Sequence, residues 1–328
     1  MAKQDAWALP AELRPDPQAL RYDFARAVRS VVLLRAEVPA DAFTADALGT
    51  ERLGNGVLID IGGRPLILTI GYLIAEAETI WITTHKGRAL PGHALAYDYT
   101  SGFGLVQPLA SLDEPTLPRA SAARLQTGDA VTLLAHGGVA HSLAAEVVGR
   151  REFAGYWEYL LEDAIYTSPA HPLWGGTALL DENGSLVALG SLLVQTENEN
   201  ESEQRAANLC VPLDVIEPLL GDLVSHGRRA GASRPWLGLY STVQNEQVVV
   251  AGLLSTAPAH SAGVEPGDMV LEVGGRQIHT LPDFYRALWR QGDAGVTIPL
   301  TLQRGSRTLT LQVHSARREQ FLKTPLHH

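Results

Sequence analysis

The chain has 328 residues, more than one ordinary domain holds, so its length points to two. A formal net charge of −10 with no cluster of Lys and Arg argues against a nucleic-acid surface, and no window approaches the ~18 apolar residues of a membrane span. With 31 glycines, 19 prolines and 45% hydrophobic residues, the composition suits many short strands and turns rather than a helical bundle.

Residues 1–25 carry Pro10, Pro15 and Pro17 among polar residues and read as an irregular arm, with Trp7, Leu9, Leu13, Leu20 and Tyr22 free to dock on its own domain or on a neighbouring subunit. The start, Met1 to Pro10, has no continuous apolar run of signal-peptide type, so a cytoplasmic location is expected. Strand signals begin at Val31–Leu34 and continue at Gly56–Ile59, Leu66–Ile70, Ile80–Thr83 and Phe103–Val106. A second series follows Gly128-Asp129, at Ala130–Ala135, Leu143–Val148, Tyr159–Tyr166, Ala178–Leu180, Leu186–Val194 and Asn208–Val211. Two sets of about six short strands predict a mainly β chain with two small antiparallel barrels over 26–226. The single Cys210, in Leu209-Cys210-Val211, excludes an internal disulfide and reads as a buried thiol. Glu197–Gln204 reads as a solvated acidic hairpin tip.

Leu213–His226 reads as one helix, with Asp214 and Glu217 at capping-box spacing and an apolar stripe of Val215, Ile216, Leu219, Leu220, Leu223 and Val224. Residues 227–234, with the solvated pair Arg228-Arg229, read as a linker. A compact second domain is expected over 235–316. It has strands near 247–254, 269–273, 296–302 and 308–313, and a helix opened by Thr280 and Pro282. Residues 317–328 remain as a tail.

The order of the strands, the Gly175-Gly176 strand-turn-strand, the Val211-Pro212-Leu213-Asp214 helix start and the segment Pro235-Trp236-Leu237-Gly238 resemble the HtrA/Deg family of trypsin-like serine proteases with a C-terminal PDZ domain. The PDZ half carries the more specific pattern, Ala262-Gly263-Val264-Glu265-Pro266-Gly267-Asp268 followed by Gly275-Arg276-Gln277-Ile278. The resemblance implies a double six-stranded trypsin-like barrel domain followed by a PDZ domain. It also places the family's catalytic triad on this chain, and all three positions are substituted. Leu68-Thr69-Ile70-Gly71-Tyr72 puts Tyr72 where the histidine belongs, Ser101-Gly102-Phe103 puts Gly102 at the aspartate, and Trp174 stands directly before the glycine pair at the serine. A tyrosine of ordinary pKa is a poor general base, glycine cannot orient an imidazole, and an indole cannot attack a carbonyl. The resemblance therefore implies a pseudoprotease rather than an enzyme. Asp98 near Gly102, or a Ser168–His171 pair, would be needed to rebuild a different site. His85, His93, His136 and His141 lack metal-ligand spacing, so neither a metal nor a cofactor is expected.

Binding chemistry is what the resemblance leaves. In a PDZ domain an extended peptide adds to a sheet edge while backbone N–H groups hold its terminal carboxylate. Trp236, Leu237, Gly238 and Leu239 match that carboxylate loop, and Tyr285, Leu288 and Trp289 are candidates for the groove-facing side of the helix. The implied partner is a peptide or protein with an extended or apolar C-terminal segment, and homo-oligomers are compatible with the family. The alternatives are an active peptidase with an unconventional triad, an assembly subunit that binds through the barrel surface, and a PDZ unit that packs against its own barrel domain and takes no ligand.

Overall fold

The computed structural model describes residues 7–198 and 201–323. The described residues divide into two compact units, 7–151 with 163–230, and 152–162 with 231–323.

In the first unit, β1 (Val31–Glu37), β2 (Glu51–Ile61), β3 (Arg64–Ile70), β4 (Thr79–Thr83), β5 (Ala89–Tyr97) and β6 (Phe103–Pro108) close a barrel in the order β1-β2-β3-β6-β5-β4. Alternation drives the closure: Val32, Leu34 and Ala36 point into a core with Leu58, Ile67, Ile82 and Val106, while Arg35 and Glu37 point out. A second barrel has the order β10-β11-β12-β9-β8-β7, from β7 (Ala130–Leu134), β8 (Ser142–Gly155), β9 (Tyr159–Ser168), β10 (Ala178–Leu180), β11 (Leu186–Asn198) and β12 (Glu201–Pro212). Its core includes Leu133, Leu143, Val147, Ile165, Leu179 and Cys210, whose buried thiol is pushed up to about 12 by desolvation.

The second unit is a sheet in the order β13-β14-β15-β17-β18, made of β13 (Leu239–Gln244), β14 (Gln247–Leu253), β15 (Met269–Val273), β17 (Thr297–Arg304) and β18 (Arg307–His314), with the short β16 (Arg276–Gln277) beside β15. The helix Leu281–Trp289 covers it, capped by the Thr280 side chain, which accepts the Asp283 N–H at 3.2 Å. Phe284, Tyr285 and Leu288 join Val250, Val270, Leu300 and Leu302 in one core.

Several expectations need correcting. The strand β5 is absent from the sequence reading because Pro91 and Gly92 interrupt its pattern; Pro91 sits opposite Trp81 on β4 in the closed barrel. Residues 213–226 are two 3₁₀ turns, Leu213–Val215 and Glu217–Leu219, followed by an α-helix only from Leu220 to His226. Pro218 has no N–H to continue a single ladder. Asp214 and Glu217 form no capping box: Asp214 accepts the Ala122 N–H at 2.8 Å and the Ser121 hydroxyl, and Glu217 pairs with Arg119 at 2.5 Å. The arm docks on its own unit, with Leu9 buried in the second barrel's core and its N–H on the Ala140 carbonyl at 2.9 Å. Residues 152–162, expected within the barrel domain, cluster with the second unit, as do residues 317–323, where Phe321 packs on Trp236 at 4.9 Å. The expectations for the first six residues, for the side chains of the acidic tip and for the last five residues lie outside the described residues.

Candidate functional site

The loop 171–176 is fixed from β2 by one side chain. The Asn55 amide nitrogen Nδ2 donates to the Leu173 and Gly175 carbonyls, each at 3.1 Å, and its Oδ1 accepts the His136 N–H at 2.8 Å. The Asn55 backbone N–H meets Gly175 O at 2.8 Å as well. Gly176 lies at φ +77°, and a Cβ there would overlap the Asn55 carbonyl, so the position admits only glycine.

Tyr72 lies against this loop, in the 3₁₀ turn Gly71–Leu73 that follows β3. Its hydroxyl donates to the Ser191 carbonyl at 2.7 Å. Burial raises its pKa above that of an ordinary tyrosine, and a hydrogen bond from the Trp174 side chain only partly offsets this. Gly102, at φ +82°, accepts the N–H of Gly71 at 2.8 Å, one residue from Tyr72. The fold thus gathers Tyr72, Gly102 and Trp174 into one place, with no imidazole, carboxylate or serine among the three. In a Ser-His-Asp site the N–H of the nucleophile and that of the residue two before it hold the oxyanion. Two before Trp174 is Pro172, which has no N–H.

The substitute groups are engaged elsewhere. His171 is buried; its Nδ1 accepts the Leu173 N–H at 3.1 Å, so Nε2 carries the proton and donates to the His141 carbonyl at 2.9 Å. Desolvation pushes it down to about 4. Ser168 donates to the Ala206 carbonyl at 3.3 Å and forms no pair with that ring. Asp98 accepts Arg229 at 2.9 and 3.1 Å and the Ser101 N–H at 2.9 Å. Burial opposes its ionisation, but Arg229 and Ser101 outweigh that and hold the carboxyl below its usual range. Arg229, read from sequence as solvated, is therefore an ion-pair partner.

In the second unit, the loop 236–239 makes an anion pocket. Gly238 has φ +78°, and a Cβ on it would overlap the Ala257 methyl; this backbone turns three consecutive N–H groups to one side. A carboxylate already sits there, and it belongs to Glu158. Its Oε1 accepts Gly238 N–H at 2.7 Å and Leu239 N–H at 2.9 Å, and its Oε2 accepts Leu237 N–H at 3.1 Å. Glu158 is buried at the turn between β8 and β9, in the left-handed region at φ +57°. Burial pushes its carboxyl up to about 7, against the three amides and the Arg318 charge, which lower it. The Tyr285 hydroxyl donates to the Gly155 carbonyl at 2.6 Å and receives the Glu158 N–H at 3.3 Å, and Ser241 N–H bonds Tyr156 O at 2.9 Å.

Residues 54–189 match the model of the trypsin-like peptidase domain, and residues 235–314 that of the PDZ domain. The serine protease Do-like HtrA of Bacillus subtilis (strain 168) is 19% identical over 334 aligned residues, covering 91% of this chain and 72% of its own length. The putative serine protease HhoA of Synechocystis sp. is 23% identical over 290, covering 80% of this chain and 70% of its own. The chain belongs to the HtrA/Deg family. The fold agrees: the solved HtrA-type protease AlgW with tripeptide superposes with a TM-score of 0.52 at 18% identity, over 92% of this chain and 96% of that one.

Of the groove residues expected in this HtrA/Deg chain, Trp236, Leu237, Gly238 and Leu239 form the loop in which three successive amides hold a carboxylate. Tyr285 bonds the 152–162 hairpin, Leu288 is buried in the core, and Trp289 stacks on Tyr285 at 5.7 Å and carries the Arg234 guanidinium over its ring at 4.3 Å. Two residues escaped the sequence reading. Asn55 sits between Gly54 and Gly56, a break in an apolar strand that signals a polar duty. Glu158 stands among Phe153, Tyr156, Trp157 and Tyr159, more aromatic surface than a solvated turn needs.

Proposed function

We propose that this HtrA/Deg chain is a pseudoprotease that binds proteins without cleaving them, its PDZ groove receiving extended or apolar C-terminal segments. The observation that carries the reading is Trp174 against the Tyr72 hydroxyl, where the family's serine and histidine would stand, with Pro172 in the place of an oxyanion-hole donor. The curated relatives are named serine proteases, which makes retained cleavage the reading to defeat. The test is a casein-degradation assay with parallel labelling by a serine-directed phosphonate and mass spectrometry of the protein. Neither degradation nor an adduct is expected; an adduct on any serine would replace this reading with that of an active peptidase.

A second reading, an assembly subunit working through the first barrel, has its own observation. Leu53 and Trp81 are exposed and lie on either side of Arg35 across β2, β1 and β4, so all three share one outward face. Size-exclusion chromatography of Leu53→Glu with Trp81→Glu decides it: a smaller particle than the unmodified chain supports assembly through this face, and an unchanged one rejects it.

A further inference from the structure

The carboxylate pocket of the PDZ domain is full, and its occupant is part of the chain. A peptide C-terminus offers such a pocket two carboxylate oxygens on an extended backbone. Glu158 offers the same two oxygens from a side chain, reaching the amides of Leu237, Gly238 and Leu239 at 2.7 to 3.1 Å. The rest of the hairpin follows the mimicry. Tyr156 accepts a hydrogen bond from Ser241 on β13, as the backbone of an added strand would, and Leu160 enters the domain's core. Arg286 of the covering helix pairs with Glu152 on one strand and Glu162 on the other. Glu158 itself lies in the left-handed region, at φ +57°, which is uncommon for a residue other than glycine, at the tip of the turn.

We infer that the hairpin 152–162 is an intramolecular ligand that keeps the PDZ groove closed, so that a peptide C-terminus binds only by displacing Glu158. This rests on the reading of the groove as a peptide receptor. A tethered competitor acts at an effective concentration on the order of millimolar, so an external peptide meets an affinity reduced in proportion to how well the hairpin docks. The ligand class is a free C-terminal carboxylate on an extended apolar tail. A terminal amide lacks the second acceptor oxygen, and it takes no such place.

The experiment uses the full chain and a pool of fluorescein-labelled decapeptides ending in Val, Leu, Ile or Phe, each prepared with a free carboxylate and as the C-terminal amide. Fluorescence polarisation is read for the unmodified protein and for Glu158→Ala, with circular dichroism confirming that the variant is folded. The variant is expected to bind the free acids at least tenfold more tightly than the unmodified chain, and the amides no better. Equal affinity in the two proteins overturns the latch and leaves the receptor reading standing. Binding by neither protein overturns both. Should Glu158→Ala fail to fold, hydrogen exchange on the unmodified chain decides. Saturating free-acid peptide is expected to raise exchange across 152–162 at least fivefold, and no change with peptide bound overturns the latch.

Discussion

Asn55 and His171 are buried polar residues with their side-chain polar atoms matched, and together they shape the loop that ends in Trp174. For His171 the matching has a price in pH. Its pKa falls to about 4 in the fold from an ordinary 6.5, because burial disfavours the imidazolium. As pH drops below 6.5 the unfolded chain takes a proton that the folded one refuses until about 4, so stability is present in full above 6.5 and is lost across that window. The ceiling on that loss is roughly 3 kcal/mol. Urea unfolding of His171→Asn at pH 7 and pH 4.5 should therefore show a smaller acid-induced loss than the unmodified chain. Equal losses would mean that the ring does not titrate as its burial requires. At this scale the sequence was legible where residues are framed by neighbours: Tyr72, Gly102 and Trp174 stand next to strands whose order identifies them. Glu158 was not, since its partners lie about eighty residues further on and no local pattern joins them.

At the scale of elements, periodicity reported what it could. Strands with clean alternation, such as β1 and β3, were visible, whereas β5 was hidden because closure of the barrel tolerates Pro91 and Gly92 that would disqualify an isolated strand. The helix over 213–226 failed for the converse reason: its apolar stripe is real, but Pro218 divides the backbone that carries it. The hairpin 152–162 shows tertiary context deciding an element's duty, since it is built from the end of β8 and the start of β9 and yet clusters with the PDZ unit. Arg286 is the clamp at its base, bound to Glu152 and Glu162 on opposite strands. All three side chains are partly exposed, and such pairs contribute only about 0.2–1 kcal/mol each. Arg286→Ala should leave the melting temperature within about 3 °C while raising hydrogen exchange in 152–162 severalfold. Unchanged exchange would assign the hairpin's hold to Glu158, Tyr285 and Leu160 alone.

For the molecule as a whole, the proposed latch would tie the opening of the groove to pH. Docked, Glu158 has its carboxyl raised to about 7 from an ordinary 4.5; released into water, it returns to the ordinary value. The groups facing it are the Leu237, Gly238 and Leu239 amides, the Tyr285 hydroxyl and the Arg318 guanidinium; Glu152 and Glu162, at the hairpin's base, share the one guanidinium of Arg286. Docking therefore takes up a proton between pH 4.5 and about 7, and it weakens as pH rises through that window, by roughly three hundredfold at most. Above about 7 both states are ionised and the dependence ends. A C-terminal carboxylate stays ionised throughout, so peptide affinity of the unmodified chain should rise from pH 5 to about 7.5 and then level off. Glu158→Ala, having no internal competitor, should give a nearly flat profile over the same range. Polarisation titrations of both proteins at four or five pH values make the comparison. A flat profile in the unmodified chain would mean that the three amides hold Glu158 ionised in the pocket, with charge-assisted bonds outweighing burial. A profile of equal slope in both proteins would place the proton on the peptide site rather than on the latch.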